Sequence, residues 1–278
     1  MSEVSFYNLN GKLYPSCENT ISVNDRSFRY GDGFFETMKL IDATIQLKEL
    51  HFERIKRSFE ILKFQFPKHF SFDKLEQQII ELIHKNKHQK LARIRINFSR
   101  KEGELFGSEL LQPNILLQSF SLNDAFSEIN KNGLIIDVFE DAKKSCDKFS
   151  NIKSNNFLPY VMAAIWAKEN KLNDALLLNT NNSIADSCIA NLFIIKDAKI
   201  YTPPLSDGCI SGVMRKNIIE KLRTTPYEII EKSLFVKEIE EADEVFLTNA
   251  IKGISWVKQF KEKQYTCSTV NKIYSIIF

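Results

Sequence analysis

Residues 91–99, Leu-Ala-Arg-Ile-Arg-Ile-Asn-Phe-Ser, alternate with a period of two: Ile94, Ile96 and Phe98 fall on one side, Arg93, Arg95, Asn97 and Ser99 on the other. Successive side chains of a strand point to opposite faces, so the run predicts a strand with one apolar and one polar face. A helix pattern precedes it. Ser71 stands where an N-cap belongs, and Phe72, Leu75, Ile79, Leu82 and Ile83 line one stripe after it. Near the start, Asn10-Gly11 separates the strand-like segments 4–8 and 11–14 and predicts a hairpin turn.

Farther along, strands are predicted at 135–139, 175–178, 189–195, 199–201 and 244–248, with helices over 156–171 and after Ser211. Strands and helices interleave without a strict βαβ repeat, so the expected class is α+β. The 278 residues, 44% hydrophobic and 26% charged, give enough chain to bury one large core or two ordinary ones. The polar, weakly patterned stretch 119–133 is the expected linker. It divides the chain into a smaller α+β domain, residues 1–120, and a larger α/β domain, residues 121–278.

Charge and motif content narrow the function. Thirty-eight Lys and Arg balance 35 Asp and Glu to a formal +3, which argues against a general nucleic-acid binder and leaves a small anionic ligand open. Five cysteines, an odd count without short ligand spacing, predict a reduced, cytoplasmic protein. The start MSEVSFYNLN lacks a basic stretch followed by an apolar run, and no window reaches 18 apolar residues. Neither a signal peptide nor a membrane association is expected. His84 and His88 are four apart, but Lys-Asn-Lys lies between them and no third ligand is near, so no metal site is expected. No Gly-x-Ser-x-Gly elbow or Walker-type loop occurs, and Gly31-Asp32-Gly33 lacks a third glycine at dinucleotide spacing.

The segment Asp207-Gly-Cys-Ile-Ser-Gly-Val-Met-Arg215 sets Gly208 and Gly212 around a turn, with Ser211 as a possible cap and an amphipathic helix through Val213, Ile218, Ile219 and Leu222 behind it. Such a helix start suits a phosphate and equally suits a plain capped helix.

Four separated stretches, taken together, carry a resemblance. Tyr30-Gly-Asp-Gly-Phe-Phe-Glu36, His51-Phe-Glu-Arg54 with Ser58, Lys153-Ser-Asn-Asn-Phe-Leu158, and Ile184-Ala-Asp-Ser-Cys-Ile-Ala-Asn-Leu-Phe193 followed by Thr202-Pro-Pro and Gly212-Val-Met-Arg215 resemble the class IV aminotransferase family in order and spacing, from about residue 20 to 258. This is the fold type IV group of pyridoxal phosphate enzymes, which includes branched-chain and D-amino acid aminotransferases and 4-amino-4-deoxychorismate lyases.

The resemblance implies a two-domain fold type IV enzyme, a homodimer, with pyridoxal 5'-phosphate held as a Schiff base by Lys153 on the larger domain. An amine that forms an imine and then moves a proton is what that chemistry needs. Asp186 falls where the family usually has a glutamate that pairs with the pyridine nitrogen, one methylene shorter here. Arg54 matches the phosphate-binding arginine, and the backbone of Val213 and Met214 would add helix-end contacts. Phe246-Leu-Thr-Asn-Ala-Ile-Lys-Gly253 resembles the last phosphate-side loop. With Ala250 in place of a frequent hydroxyl residue, contacts there would come from backbone or Asn249. Phe157 replaces a common tyrosine.

On the substrate side, Arg93 and Arg95 lie where relatives often bind a carboxylate, although two arginines on a sheet are also ordinary surface. Tyr30 and Glu36 would line the same cavity. The loop 100–107 lacks the Arg-x-His carboxylate trap of the D-amino acid enzymes. The implied activity is transfer of an amino group between a branched-chain-like or similar amino acid and a 2-keto acid. The alternative is a lyase that releases pyruvate and 4-aminobenzoate from aminodeoxychorismate.

Overall fold

Asn10 and Gly11 join strand β1 (Phe6–Leu9) to β2 (Lys12–Pro15) as the hairpin pattern predicts. The computed structural model describes residues 5–18, 21–105 and 112–278, so Val4 of the first predicted strand and Phe106 and Gly107 of the loop 100–107 lie outside the described residues. Backbone contacts divide the chain into two units, residues 1–124 with 152–156 and residues 125–151 with 157–278.

In the first unit, α1 (Arg26–Tyr30), β3 (Gly33–Ile41), β4 (Thr44–Ile45), α2 (Lys48–Ile61), α3 (Phe72–Lys85), β5 (Leu91–Arg100) and β6 (Pro113–Ser121) follow the hairpin. They build an antiparallel sheet of order β2-β1-β6-β5-β3-β4. The alternating run is β5, and its apolar side, Ile94, Ile96 and Phe98, is fully buried. It packs with Met38 and Leu40 of β3, with Phe52, Ile55 and Phe59 of α2, and with the predicted stripe of α3. Ser71 caps α3 by accepting from the Lys74 N–H at 3.1 Å. Phe34 stacks on Phe98 with centroids 4.7 Å apart, and Phe59 meets Phe98 edge-on at 5.3 Å. Such pairs contribute about 0.5–1.5 kcal/mol beyond area burial.

The second unit contains β7 (Leu134–Lys144), α4 (Leu158–Glu169), β8 (Asp174–Asn179), β9 (Ile184–Ser187), β10 (Asn191–Lys196), β11 (Lys199–Thr202), α5 (Val213–Leu222), β12 (Ile229–Glu231), α6 (Val236–Glu240), β13 (Glu244–Asn249), β14 (Gly253–Phe260), β15 (Lys263–Gln264) and α7 (Ser268–Ile277). Its mixed sheet has the order β12-β11-β10-β13-β14-β7-β8-β9, with β15 on β14. Strand β7 runs parallel to both neighbours, β14 and β8, and the β10–β13–β14 ladder is antiparallel. On one face Tyr160, Ala163 and Ala167 of α4 pack on Phe139, Ala175 and Leu177. On the other, Ile136, Val138, Leu176, Leu192 and Ile194 form a core with Leu234 and Ile239. This is an α+β architecture.

Residues 152–156 differ from the expected division. Lys153, expected with the second domain, lies by its contacts with the first unit, because its backbone pairs with the start of β3. Phe35 N–H donates to Lys153 O at 2.9 Å, and Asn155 N–H donates to Gly33 O at 2.9 Å. Gly33 permits that approach, since a Cβ there would overlap Phe98 O and Asn155 Nδ2. Among the described residues no helix is long and apolar enough to cross a membrane, and no group of three or more His, Cys, Asp or Glu is placed to hold a metal.

Candidate active site

The alternation of β3 and β5 decides which residues of the first unit can act together. Register places Thr37 opposite Arg95, Lys39 opposite Arg93 and Phe35 opposite Asn97, so these residues share the polar face. On that face the Arg95 guanidinium lies 3.8 Å from the centroid of the Phe35 ring, and the Lys153 ammonium lies 4.9 Å from the same centroid. Arg93 stacks on Phe120 at 4.5 Å. Burial, helped by Arg93, draws the Arg95 pKa below its ordinary value.

Glu36 stands opposite Ile96 and therefore points to the other face, toward α2. Its expected place along the cavity of Arg93 and Arg95 is corrected by this parity. The carboxylate is 1% exposed and holds Arg54 through both oxygens, with Nε at 2.9 Å from Oε2 and Nη2 on Oε1. His51 Nδ1 lies 3.0 Å from Oε1. Burial on its own would raise the Glu36 pKa, but Arg54 and His51 outweigh it and hold the acid well below the usual carboxylate range. The His51 pKa is lowered mainly by burial, against the pull of Glu36, so the ring is neutral and donates from Nδ1. Glu36 thus orients the guanidinium fork of Arg54, for which the family resemblance implies a phosphate.

Tyr30 ends α1 with its ring beneath two arginines of its own helix, Arg26 at 5.5 Å and Arg29 at 5.0 Å. Arg100, where the sequence predicts the start of a loop, is the last residue of β5 and binds Asp32 and the Leu62 carbonyl.

In the second unit the chemistry gathers around Asp186 on β9. Its Oδ2 accepts from the Ile210 N–H at 2.9 Å, from the Tyr160 hydroxyl at 3.0 Å and from Lys144 Nζ at 3.3 Å, and Lys144 also donates to the Tyr160 oxygen. Its buried Oδ1 has no hydrogen-bond partner among the described residues. A buried acceptor left open costs about 1–3 kcal/mol, and an N–H donor from a ligand would relieve that cost. Burial, reinforced by Asp186, raises the Tyr160 pKa well above that of a free phenol, so the hydroxyl stays protonated and donates.

The same carboxylate helps to shape the turn before α5. Asp186 holds the N–H of Ile210, Asn191 Nδ2 holds its carbonyl at 2.9 Å, and the Ser211 N–H donates to Asn151 O at 3.0 Å. The N-cap of α5 is Gly212 rather than Ser211, and no side chain caps it. Asn191 Oδ1 occupies the space that a Cβ at 212 would need, so only glycine fits at that position. The helix therefore begins with backbone N–H groups at Val213 and Met214 that make no intrahelical bonds. Thr248 pairs with Asn191 across β13 and β10, which brings the 249–252 turn to this end of the sheet. Asn249 Oδ1 accepts from the N–H groups of Ile251 and Lys252 at 3.0 and 2.8 Å, so the side chain shapes that turn around Ala250.

Seven of the eleven predicted residues thus fall into three groupings: Lys153 with Arg95, Glu36 with Arg54, and Asp186 with the Val213–Met214 helix start. Phe35, Lys144 and Tyr160 are not singled out by sequence. Phe35 has a usable signal, since a period of two sets it on the face of Arg95. Lys144 and Tyr160 have none, because only tertiary pairing brings them to Asp186. Phe157 stacks on Tyr160 with centroids 4.2 Å apart.

The chain is similar to several known proteins. The chain is 27% identical over 237 residues to the aminodeoxychorismate lyase of Vibrio harveyi, covering 84% of this chain and 85% of the lyase. It is 26% identical over 262 residues to the D-alanine aminotransferase of Staphylococcus haemolyticus, covering 92% and 89%. Its fold matches the PLP-bound form of a hypothetical aminotransferase from Mycobacterium tuberculosis, with a TM-score of 0.84 at 14% identity over 98% of this chain and 97% of that one. The family described as Amino-transferase class IV matches residues 33–260, from the first residue of β3 to the last of β14. The chain therefore belongs to the class IV aminotransferase family.

Proposed function

We propose that this protein is a pyridoxal phosphate-dependent aminotransferase that moves an amino group between an α-amino acid and a 2-keto acid. The observation that carries the reading is the shared Phe35 ring, which gathers Lys153 and Arg95 on one face. An α-amino acid presents its carboxylate one carbon from its amine, so a cation beside the lysine fits it. When bound, the cofactor supplies an aldehyde for the substrate's amine and a ring that accepts electrons from Cα. Lys153 would hold the aldehyde carbon and afterwards carry a proton to and from Cα. Arg54, fixed by Glu36, would bind the phosphate, and the N–H groups of Val213 and Met214 and the backbone of Asn249 and Ala250 are the further groups that the family resemblance proposes for it. Asp186 Oδ1 would accept the ring N–H, which its unpartnered state fits.

The second reading, elimination of pyruvate from aminodeoxychorismate, is favoured by the Vibrio harveyi relative. A substrate panel separates the two. The aminotransferase reading expects branched-chain amino acids or L-glutamate to convert the bound cofactor to its amine form, with a keto acid restoring it. Release of pyruvate and 4-aminobenzoate from aminodeoxychorismate, without that conversion, selects the lyase. Cofactor uptake without either reaction overturns both.

A second copy of the chain is the proposed partner. Leu158, Val161, Met162 and Ile165 form one row on α4, and each is 44% exposed or more. Light scattering should give twice the chain mass at micromolar concentration, and Val161→Glu should lower it toward one chain. A wild-type monomer refutes this assignment.

A further inference from the structure

Asp186 is not a lone carboxylate. Lys144, the last residue of β7, and Tyr160, in the first turn of α4, converge on its Oδ2, and the Lys144 and Asp186 side chains are only 8% and 3% exposed. The ammonium touches the phenol oxygen and the carboxylate at once, and the phenol passes its own proton toward the same oxygen. Three donors therefore crowd Oδ2 while Oδ1 has none. A buried pair of this kind is close to neutral as a unit, and a second cation placed against it finds less attraction than a bare carboxylate would offer.

We propose that Lys144 is a positioning residue that neutralises part of Asp186's charge, and so weakens the hold of that carboxylate on a protonated ring nitrogen of the cofactor. The inference rests on the cofactor assignment above. The lysine reaches Asp186 from outside the strand pair that carries it: β9 pairs with β8, and β7 pairs with β8 on its other side, Lys144 standing opposite Asn179 after an irregularity in the ladder. That irregularity separates the pairing at Phe139 from the pairing at Lys144.

The remaining ionisable groups around the cluster do not compete for this role. Burial raises the thiol pKa of Cys188, and raises that of Cys209 to about 12, so both stay neutral. Asp174 is occupied by the Ser187 hydroxyl and the Cys188 N–H, Asp207 by Ser183 and Ser233, and Arg215 by Glu231 and the Pro203 carbonyl. Among the described residues, Lys144 is left as the cation that acts on Asp186 directly.

The test uses the intact protein loaded with pyridoxal phosphate labelled with nitrogen-15 in the ring, and follows the nitrogen resonance against pH. Lys144→Gln, and Lys144→Met as a second neutral variant, should raise the apparent pKa of the ring nitrogen by about one unit or more, a tenfold gain in the protonated-to-neutral ratio. Lys144→Arg, which keeps the charge, should titrate like the wild type. Neutral variants that load and titrate as the wild type does overturn the proposal and leave the cofactor assignment intact. A wild-type protein that takes up no cofactor overturns the cofactor assignment, and the role of Lys144 falls with it.

Discussion

Lys153→Ala should yield a folded protein that shows no visible absorption of lysine-bound cofactor on addition of pyridoxal phosphate, and whose turnover falls by roughly 10³-fold. The effect is large because the proposed function gives one side chain two tasks: it would join the cofactor and it would carry the proton. Folding should be little affected, because the lysine is half-buried and the 152–156 segment is held by its backbone pairing to β3. Circular dichroism and the unfolding midpoint separate loss of chemistry from loss of fold. A variant that retains the absorption band would assign the linkage to another lysine, and the buried Lys144 would be the first to examine.

Glu36→Ala should lower the unfolding free energy by about 3–5 kcal/mol, the usual loss when one partner of a buried ion pair is removed. The substitution leaves the Arg54 guanidinium, 12% exposed, without its bidentate acceptor, and takes the partner from His51 Nδ1. Cofactor affinity should fall as well, because Arg54 loses the group that sets its orientation. The pH dependence follows from the direction of the shift. The folded acid titrates below the ordinary 4.5, so its contribution is complete above that value and is lost as pH falls through the lowered folded value. The variant should lack this component of acid sensitivity below pH 4.5. Urea unfolding at pH 7 and at a series of values from pH 4.5 down to about pH 2 measures both claims, and equal midpoints for the two proteins at pH 7 would show that the pair adds nothing.

Local signals in the sequence account for local structure. The Asn10-Gly11 turn, the Ser71 cap and the alternation of 91–99 each rest on the geometry of a few adjacent residues, and each element forms. The correction at Glu36 has a different source. Tyr30 to Glu36 reads as one cavity-lining motif, whereas strand alternation sends Phe35 and Glu36 to opposite faces, and the aromatic residue rather than the acid shares a face with Arg95. The need for glycine at the α5 cap, position 212, depends on Asn191, 21 residues earlier in the chain. The Lys144–Tyr160–Asp186 cluster depends on ladder register across β7, β8 and β9, which no spacing pattern in the chain encodes.

The short pairing of residues 152–156 with β3 also bears on how the gene could be divided. A fragment ending at Asp124 would omit the segment whose carbonyl receives the Phe35 N–H and whose Asn155 donates to Gly33, leaving that strand edge bare. A fragment beginning at Ala125 would retain the lysine but lose the backbone that seats it. Chain order and folding unit thus disagree at Lys153, so neither fragment is expected to be a self-sufficient module, and mixing the two tests whether noncovalent complementation restores the seat.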